Sequence, residues 1–267
     1  MHPIERLRYV ARASGADQRV LVRETAEALR GLRLDPSGLV SACRRIVERH
    51  PASGPLWWLC ARVLTSPEPF EEARRCSFEI EDEPTVEQLV GLLPDEATVL
   101  LVGWPDLASE AVAQRGDPYV LVAEVHGEAG HLVRRLERCD MEAREVPLSG
   151  LGSAVAACDL VLVEATASGP DGVLCVAGSR SAAALARTTG VPVWAVVGVG
   201  RRLPERLWYS LLERVGQGVD PWELDDEVVP IELIDRVIGP GGDTDPAAAL
   251  AGSDCPMAPE LLRSSAM

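Results

Sequence analysis

The chain has 267 residues, with 26 basic against 41 acidic side chains, a formal net charge of −15 and a hydrophobic share of 47%. That balance argues against a nucleic-acid-binding surface, which needs clustered positive charge, but leaves room for a local basic pocket, and no apolar run approaches the roughly 20 residues that cross a bilayer. The length suits one large domain or two modest ones with a true core.

The segment up to Gly15 has no long apolar core behind its early charges. It reads as no secretory signal, so a cytoplasmic protein is expected. The cysteines, Cys43, Cys60, Cys76, Cys139, Cys158, Cys175 and Cys255, are scattered without a C-x-x-C pair. They read as reduced thiols in or near the core. Every basic residue is arginine, and asparagine is absent too, which excludes Schiff-base lysines, phosphate-loop lysines and asparagine-dependent motifs.

In chain order, residues 1–92 read as a small all-α domain. Apolar positions recur at helical spacing over 20–32. Asp35-Pro36 caps a second helix over 37–50, with Leu39, Val40, Cys43, Ile46 and Val47 on one face, and His50-Pro51 stops it. Further helices are expected over 55–64, 67–75 and 86–93, with Trp57 and Trp58 as core. From Thr98 the texture changes. Short Val/Leu runs over 98–103, 119–123, 142–146, 160–163 and 193–197 read as strands. Helices are expected over 105–114, 127–139, 148–158, 178–189 and 204–215. A turn-rich interval, 168–172, precedes an extended stretch at Val173 and Leu174. Strands alternating with crossover helices define an α/β fold with a parallel sheet covered on both faces, here over 93–242. Ligands of such sheets sit at strand ends and the loops that follow. Residues 243–267, rich in Gly, Pro, Asp, Ala and Ser without periodicity, read as a disordered tail.

Four pieces of the central stretch keep a recognisable frame: Glu164-Ala165-Thr166, Asp171-Gly172, Cys175-Val176-Ala177-Gly178-Ser179 and Val191-Pro192-Val193. In that order they resemble the α, β and δ subunits of translation initiation factor 2B and the related isomerases of methylthioribose 1-phosphate and ribose 1,5-bisphosphate. The family pattern there is G-A-D, N-G-x-x-x-N-K-x-G-T and V-P. Val99 to Gly103, Leu121 to Gly127, Asp159 and the segment Val229-Pro230-Ile231-Glu232-Leu233-Ile234 extend the likeness over roughly 92–242. The resemblance implies a Rossmann-like domain and a homodimer formed through it, burying the tryptophan-bearing segment 194–208. It also implies a substrate phosphate held at Gly178-Ser179.

The chemistry of the family is not kept. Its catalytic aspartate falls on Thr166, which is no carboxylate acid or base. Its N-K pair falls on Cys175 and Val176. Its catalytic cysteine has no counterpart, since Cys60 and Cys76 lack the flanking residues. Glu124-Val125-His126-Gly127 stands where E-x-R-P would bring an arginine.

Independently of the resemblance, Gly178-Ser179-Arg180 at a helix start offers free N–H groups and a hydroxyl to an anion. With Gly103, Glu124, His126 and Thr166 at strand ends, these residues form the expected phosphate-ligand set. Glu124, His126, Glu128 and His131 lack the spacing of a zinc helix and read as a loop and helix start, so no metal is expected. Gly150-x-Gly152 and Gly198-x-Gly200 have Val155 and Leu203 where a dinucleotide fingerprint needs its third glycine, so no nucleotide cofactor is expected. The expected function is non-catalytic, a sensor that binds a phosphorylated sugar or nucleotide. The alternatives are an aldose–ketose isomerase with remodelled groups and a structural subunit without a small-molecule ligand. Neither nucleic acid nor membrane is an expected partner.

Overall fold

The computed structural model describes residues 17–32 and 35–263. The part of the expected helical domain before residue 17 lies outside them. Helix α1 (Gln18–Leu32) and α2 (Pro36–Arg49) are amphipathic, and the Asp35 side chain accepts from Gly38 N at 2.7 Å to start α2. Helix α3 (Gly54–Thr65) is apolar nearly all round and therefore sits at the centre of the bundle. Trp57 and Trp58 are among its fully buried side chains. The helix expected over 67–75 runs on as α4 (Pro69–Glu81). No breaker follows Arg75, and Cys76, Ser77 and Ile80 continue the buried stripe begun by Ala73. Helix α5 (Thr85–Leu92) packs differently from the other four: Val86 and Leu89 join the core beneath the sheet.

The main sheet comprises β1 (Thr98–Val102), β2 (Tyr119–Ala123), β3 (Ala143–Val146), β4 (Leu160–Glu164), β7 (Val193–Val196), β9 (Arg236–Gly239) and β10 (Gly242–Thr244). Its order is β10-β9-β7-β4-β1-β2-β3, parallel except for the β10 edge. One face is covered by α5, α6 (Asp106–Arg115) and α7 (Ala129–Glu137), against Val99, Leu101, Leu160 and Leu162. The other is covered by α8 (Leu151–Ala157), α9 (Ser179–Thr189) and α11 (Pro246–Ala251), against Leu100, Val161 and Val163. This is the two-sided burial that makes parallel strands read as unbroken apolar runs. No helix among the described residues is long and apolar enough to cross a membrane.

Three regions differ from the sequence reading. The turn-rich interval is a hairpin: β5 (Ala167–Gly169) and β6 (Gly172–Val176) pair antiparallel, and β8 (Asp226–Pro230) adds to β6. Val173 and Leu174 thus belong to a second, three-stranded sheet. Residues 243–263 are packed rather than disordered. Asp245 caps α11 by accepting from Ala247 N and Ala248 N, and Cys255, Ala258 and Leu261 are buried in the core of the helical bundle. Elements this short show no periodicity, because their burial is decided by partners far away in sequence. Finally, Trp194 and Trp208 are only 7% and 0% exposed inside the single chain, Trp208 against the bundle from α10 (Glu205–Val215). A partner chain therefore has no tryptophan there left to bury.

Candidate functional site

The strand ends at the carboxyl edge of the main sheet face the helical bundle, and a cleft of about 480 Å³ opens between them. Such a volume fits a small molecule. After β1 the chain turns through Gly103, whose φ of +63° favours glycine, into Trp104, Pro105 and Asp106 at the start of α6. After β4 come Ala165 and Thr166, and the loop after β7 brings in Arg201. Trp104 carries the Arg135 guanidinium over its ring at 5.8 Å, and both line the cleft with Glu128.

Glu164 and Arg201 form the base of this cleft. Glu164 Oε1 accepts from Arg201 Nη1 at 2.8 Å, and Glu164 Oε2 accepts from Ala108 N at 2.9 Å in the first turn of α6. Arg201 Nη1 also donates to the Ala165 carbonyl at 2.6 Å, while its Nε is buried without a partner. Burial opposes the Arg201 charge, but Glu164, Glu83 and Asp106 more than offset it and hold the guanidinium firmly protonated. Asp106 is in the reverse position. Burial, then the charges of Glu164 and Asp17, push its carboxyl up to about 7, against the partial relief of Arg201 and Arg19.

Thr166 lies at the waist between this cleft and a second of about 480 Å³, lined by Arg49, His50, Val219, Glu223, Asp225 and Asp226 among others. Its hydroxyl donates to Leu174 O at 3.2 Å, and its own carbonyl accepts from Gly54 N at 3.0 Å. A Cβ at Gly54 would meet that carbonyl at 2.7 Å, so glycine lets α3 start directly against the site. Asp226 is raised to about 6 by burial and then by Asp225, with His126 partly opposing.

Of the expected phosphate-ligand set only Thr166 lines these clefts, and the others follow strand ends beside them in differing roles. Glu124 serves its own loop, accepting from Gly127 N at 2.6 Å and from Ala129 N, the first residue of α7, at 3.2 Å. His126 is in the left-handed region at φ +58° and lies 3.7 Å from Asp225. Gly178, at φ +95°, starts α9, and a Cβ there would lie 3.6 Å from Val102 and Val125. The anion at that helix start is the chain's own: Glu227 Oε1 accepts from Gly178 N at 2.6 Å and from Arg180 N at 2.9 Å. Ser179 is buried with its hydroxyl unpartnered, and the Arg180 side chain is exposed. Among the described residues no cluster of three or more His, Cys, Asp or Glu is placed to hold a metal ion. Cys175 is buried, and that burial raises its thiol well above the ordinary range, which leaves it inert as a nucleophile.

The sequence reading missed Trp104, Asp106, Arg201 and Glu227 as site residues. The first three carried a usable signal, since Trp104 and Arg201 lie in loops that follow strands of the parallel sheet and Asp106 opens the helix after such a loop. Glu227 carried none, because it stands on β8 of the antiparallel sheet that periodicity did not separate.

The fold is that of the initiation factor 2B subunits. Translation initiation factor eIF-2B from Pyrococcus horikoshii OT3 superposes with a TM-score of 0.73 at 16% identity, covering 93% of this chain and 98% of that one. The β subunit of eIF2B from Chaetomium thermophilum gives 0.67 at 18% identity, covering 93% and 90%. A chain of the tetrameric eIF2B β2δ2 complex from C. thermophilum gives 0.71 at 15%, covering 92% and 91%. No protein-family profile matches the sequence, and no curated protein matches it either.

Proposed function

We propose that this protein is a non-catalytic regulatory protein that binds a phosphorylated sugar or nucleotide in the sheet-edge cleft. The observation that carries the reading is a ligand-sized cleft of about 480 Å³ with Thr166 at the place of the family's catalytic aspartate, its hydroxyl tied to Leu174 O. Trp104 supplies a flat apolar face, Asp106 an acceptor for hydroxyls, and Arg135 a cation at the mouth. The phosphate is directed to the start of α9, where N–H donors already hold a carboxylate. A homodimer in the cytoplasm is part of the same proposal.

Calorimetric titration with ribose 1,5-bisphosphate, methylthioribose 1-phosphate and AMP tests the reading. Micromolar binding by one of them is expected, weakened at least about tenfold by Ser179→Ala combined with Arg180→Ala. No heat with any of the three moves the protein to a structural subunit without a small-molecule ligand.

One observation favours a second reading, the remodelled isomerase. A carboxyl held near neutrality in a cleft is suited to both giving and taking a proton, and Asp106 is such a group. A product assay on the bound sugar phosphate decides: turnover abolished in Asp106→Asn with binding intact establishes the isomerase, and binding without turnover establishes the sensor.

A further inference from the structure

At the start of α9 the left-handed turn at Gly178 aims two backbone donors at one point, the arrangement that binds an oxyanion. A single carboxylate oxygen of Glu227 sits there, 2.6 Å from Gly178 N and 2.9 Å from Arg180 N. It arrives from a different element, 49 residues away, on the strand where Glu227 lies opposite Cys175. Between the two donors in sequence, Ser179 is 1% exposed and its hydroxyl has no partner. A buried hydroxyl without a hydrogen bond is unfavourable, so the resident carboxylate leaves the hydroxyl of the residue between its two donors unserved. A phosphate, with more acceptor oxygens than one carboxylate edge, has an oxygen to spare for it.

We propose that Glu227 is a built-in competitor for the α9 anion nest, a tethered carboxylate that a ligand's phosphate must displace. The inference rests on the reading that the ligand is phosphorylated. A tethered group acts at an effective concentration in the millimolar range or above, and the neighbouring Asp225 and Asp226 add a field that repels free anions. Bare phosphate therefore fails to enter. A phosphate attached to a sugar or nucleoside enters because contacts in the adjoining cleft supply the difference. Glu227 is thus a specificity-determining residue: it rejects inorganic phosphate and accepts only ligands that fill cleft and nest together.

The test follows the backbone amides of Gly178, Ser179 and Arg180 by NMR in the ¹⁵N-labelled full chain during titration with inorganic phosphate. The parent is expected to show no saturable shift, while Glu227→Ala and Glu227→Gln show saturable shifts with at least about tenfold tighter binding. Adding Ser179→Ala to Glu227→Gln is expected to weaken that gain. Glu227→Gln retains an acceptor oxygen and nearly the same shape, so it reports on the nest even if the alanine variant fails to fold. Asp226→Asn removes a charge one residue away without vacating the nest and is expected to gain less than either Glu227 variant, because it relieves only part of the surrounding field. Saturable binding by the parent equal to that of the variants, no shift in either Glu227 variant, or an equal gain in Asp226→Asn each overturns the proposal. Because the probe is inorganic phosphate, these outcomes stand apart from the calorimetric test. A null with the sugar phosphates leaves a phosphate-binding Glu227 variant unexplained by that failure, and a null at the nest leaves the cleft reading intact.

Discussion

Asp106 stands among like charges, and its carboxyl is raised to about 7 by burial, then by Glu164 and Asp17. An aspartate in the unfolded chain ionises near 4. Between about pH 4 and 7 the folded chain therefore holds a proton that the unfolded chain has lost, and stability falls as pH rises through that window. Asp226, raised to about 6, adds to the same slope over a narrower range. Asp106→Asn removes the strained charge while keeping the shape. The variant is expected to be more stable than the parent by roughly 1–3 kcal/mol at pH 8 and nearly equal to it at pH 4. Urea unfolding midpoints at the two pH values measure this. An equal loss of stability at both pH values would instead make the carboxyl a hydrogen-bonding partner of its neighbours.

The described C-terminal stretch shows how elements can be decided by packing alone. Leu261 is fully buried with Cys255 and Ala258 in the same core as Trp57, Trp58 and Trp208. Arg44 Nε donates to the Glu260 carbonyl at 2.7 Å, and Arg214 Nη2 donates to that of Leu261. Leu261→Ala is accordingly expected to destabilise the fold by about 2–4 kcal/mol, the cost of a core cavity, as read from the shift in urea midpoint. A disordered segment would show no change. The central strands β1, β2, β4 and β7 were legible in the sequence because burial on both sheet faces leaves short runs of Val and Leu, and the glycines at 116 and 190 end their helices in the left-handed conformation. Helix starts and strand ends were legible for the same reason, and with them Gly103, Thr166 and Gly178. What stayed hidden depends on distant pairing. Glu227 meets Gly178 across 49 residues, Arg201 meets Glu164 across 37, and β8, with two acidic residues before Val228 and Val229, pairs with β6 far back in the chain. No local pattern encodes such partners, so the occupant of the anion nest emerged only from the fold.

At the scale of the whole molecule, charge acts against self-association. Each chain carries a formal net charge of −15, so two chains repel at long range, and the repulsion is screened within about 10 Å at 0.1 M salt. Among the large apolar side chains left outside, Trp222 is 80% and Tyr209 45% exposed, while Trp194 and Trp208 are already covered within the protomer. The proposed homodimer then has to be held by contacts other than those tryptophans, and its formation is opposed by charge. Sedimentation velocity at micromolar protein across a salt series separates these effects. A dimer is expected at about 0.15 M salt and above, shifting toward monomer as the ionic strength falls and the Debye length grows to about 30 Å at 0.01 M. A dimer weakened by salt would mean that complementary charges form the contact, with the surplus acidic groups kept away from it. A monomeric mass throughout the series would remove the homodimer from the proposal and leave the cleft to work within a single chain.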